Sequence, residues 1–504
     1  MSEVKVNENR QTTLRRENFP FFAVGSGLYA LFYTFCMYKN SSGITFPFFV
    51  AGSIFFFCFC MKKLEIAVKK GSAWYMAAML LLGISTVLTA DGRIIFFNQA
   101  GVFLLMVSFL LHQFYRDENW SFGRYVGALL STVFGTVGQI GKPFTDLAAY
   151  RSKGWKKSGK LLYVAIGLCV SVPLLLVVWF LLMTADRVFM NMTEEFFDAI
   201  DLPNIFGVVC SVAIMFLGAY GVLVYLGERH LGDQVAEQKR AESALAVTVM
   251  LPLTILYAVF CGVQVFCLFM GNVNLENMTY AEYARQGFFQ LLFISILNLI
   301  LVLVGGHYFK ESTFLKIIMT VMSVCTYIMI FSSGYRMILY IRHYYLTFLR
   351  ILVLWSLAVI FLLLTGVLIS IFRRGFPLFR FCVLVVSVCH IALSFSRPDY
   401  LIASCNLGNT EENSVHKFFD ADAYHDYRYL SGLSADAAPV ILPYLEEQGY
   451  NLSLDAPAEG YSRYDEDQWG FYYLGQLRDE VEEMGVRSFN ISRYAAKETL
   501  ERLQ

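Results

Sequence analysis

Thr279-Tyr-Ala-Glu-Tyr-Ala-Arg-Gln-Gly-Phe288 runs directly into Phe289-Gln-Leu-Leu-Phe-Ile-Ser-Ile-Leu-Asn-Leu-Ile-Leu-Val-Leu-Val-Gly-Gly306. The second stretch carries no charge and, wound as a helix, is long enough to cross ~30 Å of hydrocarbon. A second such run, Ala244–Met270, lies on the other side of the polar decapeptide. A chain that alternates long apolar runs with short charged mouths is a polytopic membrane protein. The composition agrees, with 57% hydrophobic and only 16% charged residues among 504, where a soluble domain is about half apolar and a quarter charged.

Reading outward gives about eleven spans: Pro20–Tyr38, Gly43–Met61, Ala73–Ala90, Ile94–Leu111, Lys160–Thr184, Ile205–Leu226, Ala244–Met270, Gln286–Gly306, Leu315–Ser332, Thr347–Ile371 and Phe376–Phe395. No alternating barrel pattern appears, and a helix satisfies its own backbone in lipid, so the predicted class is an all-α transmembrane helix bundle. The less apolar, Gly-rich stretch 120–147 reads as an interfacial segment.

Charge sets the expected direction. The basic residues before Pro20, Lys62-Lys63, Lys69-Lys70, Arg151–Lys160, Lys239-Arg240, Lys310 and Arg373-Arg374 fall in one set of loops, which the positive-inside rule makes cytoplasmic. Residues 1–19 are then a cytoplasmic N-terminal segment and 20–396 the membrane bundle. Residues 397–504 hold 20 acidic and 9 basic residues, against 20 acidic and 31 basic before them. This acidic, soluble region is expected outside the membrane. Helix punctuation divides it: Ser434 to Glu447 stopping near Gly449, Gln468–Met484, and Arg493–Leu503 capped by Ser492. Its many aromatic and few aliphatic residues suggest that it leans on the bundle.

Within the decapeptide, Thr279-x-x-Glu282 matches a capping box, predicting a helix from about Tyr280. Tyr280 and Tyr283 share a face with Gly287, and Arg285 reaches Glu282 or a lipid phosphate. From Ser312 to Pro398 there is no Asp or Glu, yet Arg336, Arg342 and Arg350 stand around an expected outer turn, Ser333–Thr347. Basic residues on that face need partners. The choices are outer carboxylates such as Asp186 and Glu282, the acidic C-terminal region, simple snorkelling to the interface, or an anionic ligand, for which Arg offers a planar fork. Tyr280, Glu282, Tyr283, Arg285, Arg336, Tyr340, Arg350 and Asp186 are therefore the candidate outer-face site. Inside the spans, Gln264 and Asn298 are placed to bond each other, and His390 is the lone mid-span histidine; polar groups there glue helices or serve a pathway.

No HExxH, GxSxG, P-loop or dinucleotide fingerprint occurs, and the Asp/His-rich stretch 416–426 matches no standard metal framework. No catalytic residue, metal or cofactor is assigned. Nucleic acid is not an expected partner; membrane lipids are, with an anionic ligand or another envelope protein.

Several ordered pieces remain: Ala185-Asp-Arg-Val-Phe189, Leu251-Pro-Leu253 with Tyr257 and Gln264, Thr279–Phe288, Tyr335-Arg336 with Tyr340, Leu346-Thr347 with Arg350, Arg397–Ala403 with Asn406, Tyr429–Asp436 and Arg487–Arg493. Together they resemble the DUF4153/DUF4173 group of bacterial membrane proteins of unknown function, over about Thr184 to the C-terminus. The resemblance implies a bacterial inner membrane and a multi-span architecture, and supplies no activity. The leading expectation is a non-enzymatic sensor, scaffold or envelope-complex subunit whose acidic C-terminal region docks on the outer Arg/Tyr surface. The alternatives are a transporter or lipid translocator, and an envelope enzyme acting on lipid headgroups.

Overall fold

The computed structural model describes residues 2–40, 42–117, 120, 122–152, 171, 174–175, 178–179, 181–186, 202–228, 231, 241–266, 287–373, 375–408, 423–452 and 468–503. Among these the chain is helical, with no strand beyond an isolated bridge between Ala241 and Phe309. The helices are α1 Ser2–Glu17, α2 Phe19–Met37, α3 Thr45–Lys63, α4 Ser72–Leu88, α5 Gly92–Phe114, α6 Phe122–Val137, α7 Lys142–Ser152, α8 Leu202–Gly227, α9 Ser243–Gln264, α10 Phe288–Tyr308, α11 Thr313–Tyr344, α12 Phe348–Phe372 and α13 Leu378–Phe395. Then come α14 Pro398–Gly408, α15 Ala423–Leu430, a 3₁₀ turn Ala435–Ala437, α16 Ala438–Glu447, α17 Trp469–Glu482 and α18 Ile491–Leu503. Nine of the described helices (α2, α3, α5 and α8 to α13) are long and apolar enough to cross a membrane. The protein is an all-α polytopic bundle. Helix α4 is apolar but has 17 residues, and the expected span Lys160–Thr184 lies largely outside the described residues.

The side chains are distributed as lipid demands. On α2, Val24, Leu28, Leu31 and Phe35 form an exposed apolar stripe, while Ser26, Tyr29 and Thr34 are buried. Tyr29 shares a 2.8 Å hydrogen bond with Ser53 of α3, and Thr34 one of 3.1 Å with Ser211 of α8. In hydrocarbon there is no gain in hiding leucine, but each polar group must find a partner inside.

The chain divides into two compact units. The first comprises Met1–Gly83, Val102–Asp117 and Val126–Asp233. In it α2 packs between α3 and α8, and a buried charge cluster holds α1 to α7 and to the end of α8. Arg15 donates from Nε to Asp146 at 3.0 Å and from Nη2 to Glu228 at 3.2 Å. Arg16 and Tyr220 also donate to Asp146, at 3.0 and 2.9 Å, and Lys142 to Glu228 at 3.0 Å. Burial raises the Glu228 pKa, but the Lys142 hydrogen bond and the Arg15 and Lys142 charges outweigh it and hold the carboxyl below its ordinary range. Along α6, Val126, Leu130, Phe134 and Val137 are exposed, the one-sided stripe expected of an amphipathic helix.

The second unit comprises Ile84–Gly101, Glu118–Tyr125 and Gln234–Gln504. Helices α9 to α12 enclose one core, including Met250, Val302, Met322 and Leu364. Helix α11 runs 32 residues, about three turns beyond the expected end at Ser332. The expected turn Ser333–Thr347 shrinks to Tyr345–Thr347, and Arg336 and Arg342 belong to the helix. Gly334 lies within it without ending it, because its neighbours supply enough packing to offset the propensity cost. A second core joins the C-terminal helices, through Leu430, Ile441, Leu442, Trp469, Tyr473 and Leu500, to Ala90, Ile94, Phe348 and Leu393 of the membrane helices.

Candidate functional site

The turn between α4 and α5 is the centre of a buried polar region in the second unit. Three segments of the C-terminal region converge on it. Asp436, in the 3₁₀ turn, accepts from the Ala90 amide at 2.8 Å and from the Thr89 hydroxyl. Asn490 donates to the carbonyls of Thr86 at 3.2 Å and Thr89 at 2.8 Å, acceptors that the end of α4 leaves without a helical partner. Its Oδ1 meanwhile accepts from the amides of Ser492 at 2.9 Å and Arg493 at 3.2 Å. Asn490, not Ser492, is therefore the cap of α18. An amide side chain can cap with its oxygen and bridge with its nitrogen, which a serine placed inside the first turn cannot do.

Asp91 caps α5, accepting from the Arg93 amide at 2.9 Å. The Arg93 guanidinium grips Asp91 at 2.8 and 2.9 Å, also donates to Asp399, and lies 4.1 Å over the Phe348 ring. The other Asp399 oxygen accepts from the Ser434 amide at 3.0 Å. Arg397, in a left-handed conformation at φ +50 where the chain turns from α13 into α14, stands 3.9 Å from Asp436 and donates to Ser492 at 3.1 Å. Asp91, Asp399, Asp436 and Asn490 are 2%, 1%, 0% and 0% exposed. Two arginines thus face three buried carboxylates. Burial, with the Asp91 charge close by, holds Asp399 above its ordinary range against Arg93 and Ser434. Burial likewise raises Glu480 despite Arg493 at 3.3 Å.

A second set of bonds continues the junction along the α11–α12 turn. Asn406 accepts from the Leu346 amide at 2.8 Å and donates to its carbonyl at 3.0 Å. The Phe348 amide, unpaired by α12 itself, donates to the Tyr429 hydroxyl at 2.8 Å. These bonds satisfy backbone groups that a helix start leaves open.

The residues singled out from sequence distribute as follows. Tyr280, Glu282, Tyr283 and Arg285, with Thr279, lie outside the described residues. Gly287 is left-handed at φ +94 and stands immediately before α10, which begins at Phe288. A Cβ at Gly287 would be strained at this φ and would come within 3.2 Å of Arg336 Nη1, which would have to shift. Arg336 is buried and donates to Gln264 at 3.1 Å, as does the Ser332 hydroxyl at 2.9 Å. It therefore touches both flanks of the decapeptide, the end of α9 and the start of α10. Tyr340 stacks under Arg350 at 4.3 Å and faces Phe288 at 6.2 Å, while Arg350 donates to the carbonyls of Tyr344 and Tyr345. Gln264, Arg336, Tyr340 and Arg350 are thus brought together at the same helix ends as Leu346. Asn298 donates to Thr326 at 3.0 Å, separate from the Gln264 network. The His390 ring stands edge-on to Trp355 and Phe97. Asp186 is exposed in the first unit.

Asp91, Arg93, Asp399, Asp436 and Asn490 were not singled out as site residues. Their signal is nonetheless in the sequence: Arg397–Ala403 with Asn406, Tyr429–Asp436 and Arg487–Arg493 all meet at this junction. Residues 76–444 match the family model described as Domain of unknown function (DUF4153). The match begins earlier than the resemblance read from the motifs, and takes in α5, α6 and the Thr86–Arg93 turn. No curated protein and no solved structure matches the chain. The protein belongs to the DUF4153 family.

Proposed function

We propose that this member of the DUF4153 family is a non-enzymatic sensor, scaffold or envelope-complex subunit of a bacterial inner membrane, whose acidic C-terminal region is a platform fixed on the outer helix ends. The observation that carries the reading is the use made of Asp91, Asp399 and Asp436. Each is committed to an amide, hydroxyl or guanidinium of the chain itself, so the buried acids hold the junction rather than await a substrate. The docking surface in this reading is the Thr86–Arg93 turn with Leu346 and Phe348, beside the Arg336–Arg350 helix ends.

Val486 is 91% exposed and gives the test. In intact cells, Val486→Cys is expected to react with a membrane-impermeant maleimide, and Asp436→Ala to open the C-terminal region to added protease while the bundle stays inserted. Reaction only after the membrane is breached puts the platform on the other face and contradicts the reading.

The transporter alternative draws on Arg336, an ionisable side chain buried in a candidate span. It expects Asn298→Cys to react with a hydrophilic maleimide through an open path. Absence of reaction in the folded protein counts against it.

A further inference from the structure

At the far end of α12 from the junction lies a cavity of about 240 Å³, bounded by the end of α10, the start of α11 and the end of α12. It would hold the volume of about eight waters. Its lining includes the polar side chains of Lys310, Glu311, Ser312 and Lys316 beside Gly305 and Gly306. The two glycines leave the room: Gly305 packs between Met250 and Met319, and a Cβ on Gly306 would meet only Ile371, at 3.9 Å.

We propose that this cavity binds the phosphodiester group of a membrane phospholipid. Three candidate spans end or begin around it, so it lies at the depth of the lipid headgroups. Tyr308, Phe314 and Phe372 stand exposed near these helix ends, where aromatic rings sit in a bilayer interface. Exposed Phe314 and Ile317 then continue along α11 as a surface for acyl chains.

The lysines suit a phosphodiester. Lys316 pairs with Glu311 at 3.3 Å, and Lys310 pairs with Glu242, both more than half exposed. The exposed Lys310 pair holds weakly, the Lys316 pair is only 31% and 33% exposed, and an ammonium has three donors, so each lysine can serve a phosphate oxygen as well as its carboxylate. The Ser312 hydroxyl adds a neutral donor at the wall, whereas the Ser370 hydroxyl is committed to the Val367 carbonyl at 2.6 Å. A free phosphate would meet the same polar groups but would make no use of the apolar rim, which is why a lipid is the assigned source.

The test uses full-length protein in detergent micelles doped with phosphatidylglycerol, with retained lipid counted by native mass spectrometry. Lys310→Gln with Lys316→Gln is expected to weaken retention by about tenfold, the loss of one or two charge-assisted hydrogen bonds. Gly306→Leu, which fills the cavity and leaves the charges in place, is expected to do the same, so the result does not depend on one variant folding. Excess inorganic phosphate is expected to leave retention unchanged. Equal retention by the wild type and whichever variants keep the wild-type melting temperature overturns the site. Displacement by inorganic phosphate overturns the lipid as its source.

Discussion

The two buried charge clusters have opposite balances. In the first unit, Arg15, Arg16 and Lys142 surround Asp146 and Glu228. In the second, Arg93 and Arg397 face Asp91, Asp399 and Asp436. Burial raises a carboxyl in both places. Where cations are in excess their charge wins and Glu228 is lowered; where they are short, burial wins and Asp399 is raised. Glu228 is also the more exposed of the two, at 15% against 1%, so the direction at each follows the balance between its burial and the charges beside it.

The largest expected effect comes from the first cluster. Asp146→Ala leaves Arg15, 1% exposed, with Glu228 at 3.2 Å as its remaining counter-charge and removes the acceptor shared by Arg16 and Tyr220. A loss of about 3 kcal/mol is expected for breaking a buried ion-pair network, read as a lower melting temperature and release of the N-terminal helix to protease. Next is Asn490→Ala, which removes a cap and strands two buried carbonyls at about 2–4 kcal/mol. Its readout is protease sensitivity confined to the C-terminal region.

The pH responses separate the clusters directly. Glu228 is lowered, so its contribution is full above its ordinary value of 4.5 and is lost as pH falls through the lower folded value. Asp399 is raised, so its contribution is full below its ordinary value of 3.8 and is lost as pH rises through the higher folded value. Glu228→Gln is expected to flatten the acid limb of a stability profile, and Asp399→Asn the limb on the rising side. If both variants flatten the same limb, the contrast fails. The smallest effect is at Tyr340→Leu, about 1 kcal/mol for the stack under Arg350, measured as a slight fall in melting temperature.

Much of the fold is legible from local pattern. Apolar runs near 20 residues mark most of the candidate spans, and Gly449, at φ +79, stops α16 as its position suggests. Local pattern misleads where tertiary packing decides. Ser333-Gly334 and the arginines after them look like a turn, yet packing carries α11 to Tyr344. Ser492 looks like a cap, but Asn490 two residues earlier has the bridging geometry. The junction is hardest to read because Ala90 and Asp436 are separated by 346 residues. Nothing near Asp91 announces which distant acid will join it. Only the short polar motifs of the C-terminal region mark the places where such pairing is available.

Hydrogen exchange at the Ala90 amide, in the full-length protein in bilayers, tests the junction most directly. This amide starts no helical bond and is held by Asp436 at 2.8 Å. Strong protection in the wild type, lost in Asp436→Ala while the amides of α10 to α12 stay protected, is the predicted result. Equal exchange at Ala90 in the two proteins would contradict the fixing of the C-terminal region on the membrane helices.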